Sequence, residues 1–273
     1  MDDTHTRELL GLDEFKPTQE LVCFLPFRGE FGWYLTTYVK RFHAFNHENK
    51  VACIKHGHEC LFPSAKHFFY DWQDIDDTKK MGIIPMTDEE AIKEKVKKQF
   101  ATDNIFFSSA TDAGWLEKTS LSGHVFAPKS INNFGLKADV AITPRFRKIE
   151  TSRNFQKEYW QYIVNLLVGQ EISVAVCGQK DTSFDLEYIS YKAYDHVDVD
   201  SDVEIMNNAK LVISQETGIL YLSFLCKRPT LVTGLYMGGD VQRDLSVPFC
   251  NATCDKQDVV IKAFNFLRKG TFE

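Results

Sequence analysis

The fold of this chain is decided by the stretch Asn208-Ala-Lys-Leu-Val-Ile-Ser-Gln-Glu-Thr-Gly-Ile-Leu-Tyr-Leu-Ser-Phe-Leu-Cys-Lys-Arg-Pro-Thr-Leu-Val-Thr-Gly234. It predicts a buried strand, a turn, a helix and a second strand that ends in glycine. The consecutive apolar residues Leu211 to Ile213 are typical of a parallel sheet covered on both faces. The turn Gln215-Glu216-Thr217-Gly218 opens the helix, so the positive end of the helix dipole lies at the carboxyl end of the strand. Open α/β sheets bind ligands there, and a nucleotide diphosphate is suited to such a position.

Length and composition indicate a folded protein of two ordinary domains or one large one. The 273 residues are enough for two domains of ordinary size, and 44% of them are hydrophobic, which supports a substantial core. The sequence has no run of about 18 apolar residues of the kind that crosses a membrane. We therefore expect a cytoplasmic protein that does not insert into a membrane, and the sequence leaves its oligomeric state open.

The seven cysteines favour reduced thiols rather than disulfides or a metal site. Cys23, Cys53 and Cys177 fall inside apolar runs, as buried thiols do. Cys250 and Cys254 form the one close pair in the sequence, and no His or Cys stands at ligand spacing beside them. We expect no metal and no other cofactor.

Charge is distributed unevenly along the chain. The net charge of -6 argues against a protein coated with nucleic acid. Between residues 28 and 67, however, six Lys and Arg stand against three Glu, and five of the eight histidines lie there. Two interpretations remain open, namely a solvated face and a basic rim that receives an anionic acceptor, including nucleic acid.

The alternation of apolar runs and amphipathic stretches predicts an α/β fold with two Rossmann-like halves that face a cleft. We place the N-terminal half at residues 1–136 and the C-terminal half at residues 137–273. Strands of the N-terminal half are expected at residues 21–25, 51–54, 105–108 and 125–127, and helices at 33–45 and 88–100. Strands of the C-terminal half are expected at residues 139–143, 172–177 and 210–214, and helices at 157–167 and 256–269.

The order of these elements, with Pro144-Arg145 after one strand, resembles the C-terminal donor domain of GT-B-fold glycosyltransferases. The heptosyltransferase and fucosyltransferase-like branches are the most similar. Glu216-Thr217-Gly218 and Arg228-Pro229-Thr230 occupy the places of their late motif, and Arg28-Gly-Glu-Phe-Gly-Trp33 is similar to their first glycine-rich loop. The resemblance implies an enzyme that uses a nucleotide sugar as co-substrate and stabilises its diphosphate without a metal.

Residues suited to a nucleotide-sugar donor follow three strands of the C-terminal half. They are Arg145, Arg147, Gly178, Lys180, Glu216, Thr217 and Gly218. A guanidinium can hold two phosphate oxygens, so the two arginines are candidates for the diphosphate, the alternative being surface arginines in a loop. The lysine is a second cationic candidate. Glu216 suits the ribose hydroxyls and the two amides after it suit a phosphate, the alternative being a plain helix N-cap.

A general base for the acceptor hydroxyl is expected in the N-terminal half. Glu30 is the first candidate, because its loop follows the first strand, and the neighbouring Arg28, Gly29 and Gly32 let the backbone approach a ligand closely. His56 and His58, after the second strand, are the rival candidates, since imidazole titrates in the useful range.

Two further motifs imitate functional sites. Asp198-Val-Asp200 is similar to the metal-binding Asp-x-Asp of another glycosyltransferase fold, but its acidic surroundings favour a solvated loop and a helix start. The aromatic cluster Phe68-Phe-Tyr-Asp-Trp72 suits either a stacked sugar or base or a packed core.

Together with these residues, the resemblance implies a metal-independent glycosyltransferase that moves a sugar from a nucleotide-sugar donor to an acceptor hydroxyl. The C-terminal half would hold the donor and the N-terminal half the acceptor, with closure that excludes water. The acceptor is a glycan or hydroxymethylated phage-type DNA, which would make the reaction a DNA modification. Two alternatives are a sugar-nucleotide epimerase of the same fold and a non-catalytic nucleotide-sugar-binding module.

Overall fold

The computed structural model describes residues 18–27, 31–72, 89–109, 127–146, 151–196, 198–234 and 246–273. The chain divides into two compact units, Met1–Phe126 and Ala127–Glu273. Each unit is an α/β structure with a parallel sheet, as the sequence predicts. The assignment of acceptor and donor to the halves 1–136 and 137–273 stays a prediction.

The first unit contains a four-stranded parallel sheet. Its strands are β1 (Leu21–Phe24), β2 (Lys50–Cys53), β3 (His67–Phe69) and β4 (Ile105–Ser108), and they lie in the order β3-β2-β1-β4. All residues of β1 and β2 are buried, which is the reason for their nearly continuous apolar sequence. Helix α2 (Glu89–Phe100) buries Ile92 and Val96 and has acidic residues in its first turn and lysines in its last.

The first helix, α1, departs from the regular helix expected at residues 33–45. It begins with Phe31–Trp33, continues as a π-helix over Tyr34–Val39 and ends as an α-helix over Lys40–Ala44. All six side chains of the π-helical segment are buried. Tyr38 Oη donates a hydrogen bond of 2.8 Å to the carbonyl of Phe24, so this segment is attached to the carboxyl end of β1.

The second unit contains a six-stranded parallel sheet. Its strands are β5 (Val140–Thr143), β6 (Val174–Val176), β7 (Tyr191–Lys192), β8 (Leu211–Ser214), β9 (Thr230–Thr233) and β10 (Phe249–Ala252). They lie in the order β10-β9-β8-β5-β6-β7. This is the strand order of the classic doubly wound dinucleotide-binding fold, in which the first and fourth strands are neighbours.

Helices cover this sheet on both faces. They are α3 (Lys157–Val168), α4 (Asp198–Asn208), α5 (Gly218–Leu225) and α6 (Lys256–Lys269). The fully buried Trp160 of α3 and Val259 of α6 pack in one core cluster with Leu231 of β9. The next residue of that strand, Val232, packs with Leu220 and Phe224 of α5 in another cluster. Alternate residues therefore enter different cores, which accounts for the uninterrupted apolar run.

Helix α4 confirms the helix start expected at Asp198-Val-Asp200 but corrects the solvated loop expected with it. The helix includes this motif, and Asp200 is buried at 2% exposure. Its carboxylate accepts hydrogen bonds from the backbone N–H of Ile131 at 2.8 Å and of Asn132 at 2.9 Å. One turn later, Glu204 accepts the N–H groups of Phe134 and Leu136, both at 2.9 Å. The two carboxylates thus hold the backbone of residues 131–136 on α4.

Three short strands at the sheet margins, β3, β7 and β10, are not predicted from the sequence. The expected strand at residues 125–127 falls mostly outside the described residues, and residue 127 has no regular structure. None of the described helices is long and apolar enough to cross a membrane.

Candidate functional site

The candidate site of the second unit lies where the strand order reverses, at the carboxyl ends of β5 and β8. These strands are paired with Thr143 opposite Ser214, and the two side-chain hydroxyls form a hydrogen bond. Just beyond, the backbone N–H of Arg145 donates to Gln215 Oε1 at 3.1 Å. Because the chain leaves β5 and β8 toward opposite neighbours, a crevice for ligands forms at this point in such sheets.

Arg145 lies at the predicted edge of the sheet, but inside the protein. It is 2% exposed, so it is not the surface arginine of the alternative interpretation. Its Nη1 donates a hydrogen bond of 2.7 Å to Asn154 Oδ1. The backbone of Arg145 thus lies at the switch point, and its guanidinium is a buried positive charge. Arg147 lies outside the described residues.

The turn after β8 begins α5 without a conventional side-chain cap. Thr217 is the N-cap residue with extended backbone angles of -140° and 168°, yet its hydroxyl makes no capping hydrogen bond. Thr217 Oγ1 is buried and has no hydrogen-bond partner among the described residues. Beside it, the half-buried Glu216 has Oε1 at 3.5 Å from Tyr221 Oη. Gly218 is the first residue of the helix. A buried hydroxyl that does not cap its own helix is suited to an external ligand.

Gly178 and Lys180, at the end of β6, have different surroundings. Gly178 adopts a φ of 112°, and its N–H donates to Asp202 Oδ1 at 2.8 Å. The amide of Gly178, a predicted donor-binding residue, is thus bound to a buried carboxylate of α4. Lys180 is exposed at the start of a short 3-10 helix, Lys180–Thr182.

Two aromatic residues near the end of β9 were not predicted as part of a site. The rings of Phe155 and Tyr159 stack with centroids 4.1 Å apart, and Tyr159 Oη forms a hydrogen bond with Thr233 Oγ1. Burial raises the pKa of Tyr159 to about 12, so the phenol stays protonated near neutral pH. Gly234 has a φ of 89°, and a Cβ atom there would lie 3.3 Å from Phe155 Cζ. Sequence periodicity gives no signal for this contact, because Phe155 precedes the helix.

In the first unit, His58 is enclosed by aromatic side chains at the carboxyl end of β2. Its Nδ1 lies 3.3 Å from Tyr34 Oη, and its ring contacts Phe31 edge-on at 5.9 Å between centroids. Burial, with a smaller contribution from Lys55, lowers the pKa of His58 to about 4. The imidazole is therefore neutral at neutral pH.

His56, two residues earlier, is the exposed histidine of the predicted pair. Its ring stacks on Tyr70 with centroids 3.9 Å apart and planes within 16°. Tyr70 Oη donates a hydrogen bond of 2.8 Å to Glu59 Oε1. The same carboxylate oxygen lies 4.0 Å from His56 Nδ1. The sequence did not identify Glu59. Tyr70, in contrast, belongs to the aromatic cluster of residues 68–72 that the sequence did identify.

The remaining residues of the first loop are only partly described. Arg28, Gly29 and Glu30 lie outside the described residues. Gly32 is buried in the first turn of α1, where its carbonyl accepts a hydrogen bond of 2.9 Å from Thr36 Oγ1.

Two cations of the 28–67 region are interior, which reduces the predicted basic rim. Arg41 is 4% exposed, and its Nη1 donates 2.8 Å to the carbonyl of Ser109. Lys50 is also 4% exposed, and its Nζ donates 2.9 Å to the carbonyls of Phe42 and Phe45. Both bind backbone oxygens, so neither is presented to a partner.

Among residues that the structure describes, no group of three or more His, Cys, Asp or Glu side chains is arranged to hold a metal ion.

Both units are thus of the α/β class, and the second has the doubly wound strand order, in which the switch point is where such sheets bind ligands. No protein-family model and no curated protein matches the sequence. Among solved structures, the glycosyl transferase family 9 from Veillonella parvula is similar, with a TM-score of 0.54, 9% identity and coverage of 91% of this chain and 89% of that chain. This likeness confirms the predicted resemblance to glycosyltransferases at the level of the fold.

Two other solved structures match less well. The iron-containing dodecameric glycosyltransferase TibC from enterotoxigenic E. coli has a TM-score of 0.45 and 11% identity, with 85% of this chain and 61% of that chain covered. The E. coli heptosyltransferase WaaC with ADP-2-deoxy-2-fluoro heptose has a TM-score of 0.35 and 12% identity, with 86% and 76% covered.

Proposed function

We propose that this protein is a glycosyltransferase that moves a sugar from a nucleotide-sugar donor to an acceptor hydroxyl. The turn from Gln215 to Gly218 at the switch point of the six-stranded sheet is the observation that carries the proposal. There a helix begins beside a buried hydroxyl, and the side chain of Gln215 is bonded to the backbone of the buried Arg145. A helix start and a cation are the groups that bind a diphosphate. The likeness of fold to a glycosyl transferase supports this choice among nucleotide-binding activities.

The second unit binds the donor in this proposal. The amides of Thr217 and Gly218 and the Thr217 hydroxyl hold the diphosphate, and Glu216 accepts hydrogen bonds from the ribose. The Arg145 guanidinium lowers the energy of the departing diphosphate through its field, and the exposed Lys180 adds a second positive charge. These groups supply positive charge without a metal. The amide of Gly178 is bound to Asp202 and does not hold the donor. Gly178 contributes only the space that the missing side chain leaves.

The first unit provides the general base and the acceptor site. As the new bond forms between the acceptor oxygen and the anomeric carbon, the bond from that carbon to the diphosphate breaks. The diphosphate leaves with the electron pair, and the hydroxyl proton passes to the base. Glu30 and His56 are the two candidates for that base. His58, enclosed and with a pKa lowered to about 4, orders the neighbouring aromatic side chains instead.

A glycan hydroxyl is the acceptor that we propose. The DNA alternative needs a basic surface, and the interior positions of Arg41 and Lys50 leave that region with fewer surface cations than its sequence suggests. Aromatic side chains beside polar groups, such as Tyr70 with Glu59, are also suited to sugar rings.

A thermal-shift panel of nucleotide sugars tests the donor site. A donor at about 100 times its dissociation constant should add about 2.7 kcal/mol to the stability of the unit that binds it. Glu216→Gln should reduce the shift, whereas Glu171→Gln, at the opposite edge of the sheet, should leave it unchanged. If no nucleotide sugar of the panel stabilises the protein, the proposal is overturned. Interconversion of the sugar without an acceptor would indicate an epimerase.

A further inference from the structure

Three side chains of the first unit form a connected group at the carboxyl edge of its sheet. His56 and Glu59 follow β2, and Tyr70 directly follows β3, the neighbouring strand. Because β2 and β3 are parallel, the segments that leave their carboxyl ends lie side by side. The group is thus assembled by the sheet from residues that are apart in the sequence.

Tyr70 restrains the other two members of the group through different parts of its side chain. Its ring stacks on the imidazole of His56 at 3.9 Å, which fixes the plane of that imidazole. Its hydroxyl donates 2.8 Å to Glu59 Oε1, which fixes the carboxylate. Burial, together with the Glu59 carboxylate, raises the pKa of Tyr70, so the phenol remains the donor.

The carboxylate is on the Nδ1 side of the imidazole. Glu59 Oε1 lies 4.0 Å from His56 Nδ1, and the His56 side chain is 72% exposed whereas that of Glu59 is 23% exposed. A negative oxygen beside Nδ1 favours the tautomer that carries its proton on Nδ1. That tautomer has its lone pair on Nε2, the nitrogen on the other side of the ring.

We propose that Glu59 and Tyr70 are positioning residues that hold His56 as the Nδ1–H tautomer, with Nε2 presented as the proton acceptor for the acceptor hydroxyl. This inference rests on the proposed glycosyl transfer. The proton of the hydroxyl passes to Nε2 while its oxygen bonds to the anomeric carbon and the nucleoside diphosphate departs with the electrons of the broken bond. Glu59 then stabilises the resulting imidazolium.

Two other titratable groups lie near His56 in the chain. The Lys55 side chain is adjacent and exposed, and His58 is neutral at neutral pH because burial lowers its pKa to about 4. Among the residues that the structure describes, Glu59 is the one whose carboxylate lies within 4.0 Å of the His56 imidazole, so it is the group to remove in a test.

The tautomer of His56 can be measured without knowing the acceptor. In the full chain labelled with 15N-histidine, two-bond proton–nitrogen correlation spectra distinguish the Nδ1–H and Nε2–H forms, and His56→Gln identifies the resonance among the eight histidines. We expect the Nδ1–H form to be the main neutral tautomer in the wild type. Glu59→Gln should shift the population to the Nε2–H form that free histidine prefers.

Tyr70→Phe separates the two contacts of Tyr70, because it keeps the stacking ring and removes the hydroxyl. We expect a partial shift of the tautomer in this variant and a larger one in Tyr70→Leu. Glu48→Gln, an exposed carboxylate change in the same unit, is the control and should leave the His56 resonance unchanged. Nε2–H as the main form of the wild type, or no response to Glu59→Gln, would overturn the inference.

Turnover provides the second readout. With the nucleotide sugar that stabilises the chain most, release of nucleoside diphosphate should fall about 100-fold in His56→Gln and less in Glu59→Gln, in line with the contribution of a general base. Stabilisation by the donor should be unchanged in both variants. Normal turnover in both would remove the catalytic role of His56, whereas a wild type that binds no nucleotide sugar contradicts the proposed function itself.

Discussion

Asp202 Oδ1 accepts a hydrogen bond of 2.8 Å from the backbone N–H of Gly178, across the end of β6. The carboxylate is 5% exposed, and the glycine has a φ of 112°, a value that side-chain-bearing residues rarely adopt. The contact fixes the turn after β6 to helix α4. It also engages the amide of Gly178, a residue that the sequence named for donor binding, inside the protein.

Replacement of Asp202 by alanine should therefore lower stability. The part-buried Gly178 N–H would lose its acceptor, which costs about 1 kcal/mol. Urea unfolding followed by circular dichroism measures the change. Asp185→Ala is the control, because this carboxylate is 86% exposed where it pairs with Lys192 and should contribute little. Equal stability of Asp202→Ala and the wild type would show that the turn does not depend on the contact.

Thr217→Val separates stability from binding. The Thr217 hydroxyl is buried and makes no hydrogen bond to described residues, so valine, which has the same shape, should leave the stability unchanged or slightly higher. Nucleotide-sugar affinity should fall by about fivefold if that hydroxyl binds the diphosphate, as one hydrogen bond contributes about 1 kcal/mol. Calorimetric titration and unfolding of the same variant give both values. A loss of stability without a loss of affinity would instead assign Thr217 to the helix start.

Gly234→Ala should destabilise the second unit for two reasons. The left-handed φ of 89° costs about 1–2 kcal/mol for alanine, and the new Cβ atom would lie 3.3 Å from the Phe155 ring. Gly135→Ala is a matched control, since its φ is 73° but no atom lies within 4 Å of the added Cβ. The difference between the two losses of stability reports the contact with Phe155. When Phe155→Leu is combined with Gly234→Ala, the extra loss of stability caused by the contact should disappear. The loss caused by the left-handed φ should remain.

Stability of the first unit should fall in mild acid. Burial lowers the pKa of both His43 and His58 to about 4, whereas an unfolded histidine titrates at about 6.5. Between these values the unfolded chain binds more protons than the folded one, so stability is present above pH 6.5 and is lost as the pH falls toward 4. We expect a loss on the order of 2 kcal/mol for each histidine.

Urea unfolding at pH 7 and at pH 4.5 measures this effect, and His58→Gln should reduce the difference between the two conditions. Asn46→Gln, an uncharged change at an exposed position of the same unit, should keep the full difference. An unchanged pH dependence in His58→Gln would contradict the assignment of this acid sensitivity to the buried imidazole.

Glu204→Gln should loosen the segment that α4 holds. The carboxylate accepts the N–H groups of Phe134 and Leu136 with separate oxygens, and glutamine offers only one oxygen and an amide that opposes the second donor. Stability should fall by about 1–3 kcal/mol, and amide hydrogen exchange should accelerate in a peptide that covers both residues. Glu171→Gln serves again as the exposed control. Unaltered exchange of the Phe134 and Leu136 amides in Glu204→Gln would mean that other contacts hold the segment.

The sequence predicts the interior of each sheet well, because burial on both faces demands runs such as Leu211 to Ile213 and leaves little choice of structure. Helix α6 is found at the predicted residues, Lys256–Lys269, where Asp255 caps its start and Gly270 ends it in a left-handed conformation. The marginal strand β7 is two residues long and half-buried, so Tyr191 and Lys192 show no apolar run. The π-helix in α1 likewise has no distinct pattern of residues.

Candidate site residues were predictable where they are neighbours in the sequence. They were not predictable where only the pairing of strands brings them together. Glu216 and Thr217 are adjacent to the strand that presents them, so their position followed from the motif. The contact between Glu59 and Tyr70 depends on the pairing of β2 with β3, and Asp202 reaches Gly178 from a helix 24 positions later. Such pairs become visible only when the strand order is known.

The interior placement of Arg41 and Lys50 has a consequence for ionic strength. Charges that are bound to backbone carbonyls release no counterions when a polyanion approaches, so they add nothing to the salt dependence of association. Of the described cations in the 28–67 region, Lys55 and Lys66 are exposed. A formal count of basic residues therefore overstates the attraction that a dissolved polyanion would experience at this surface.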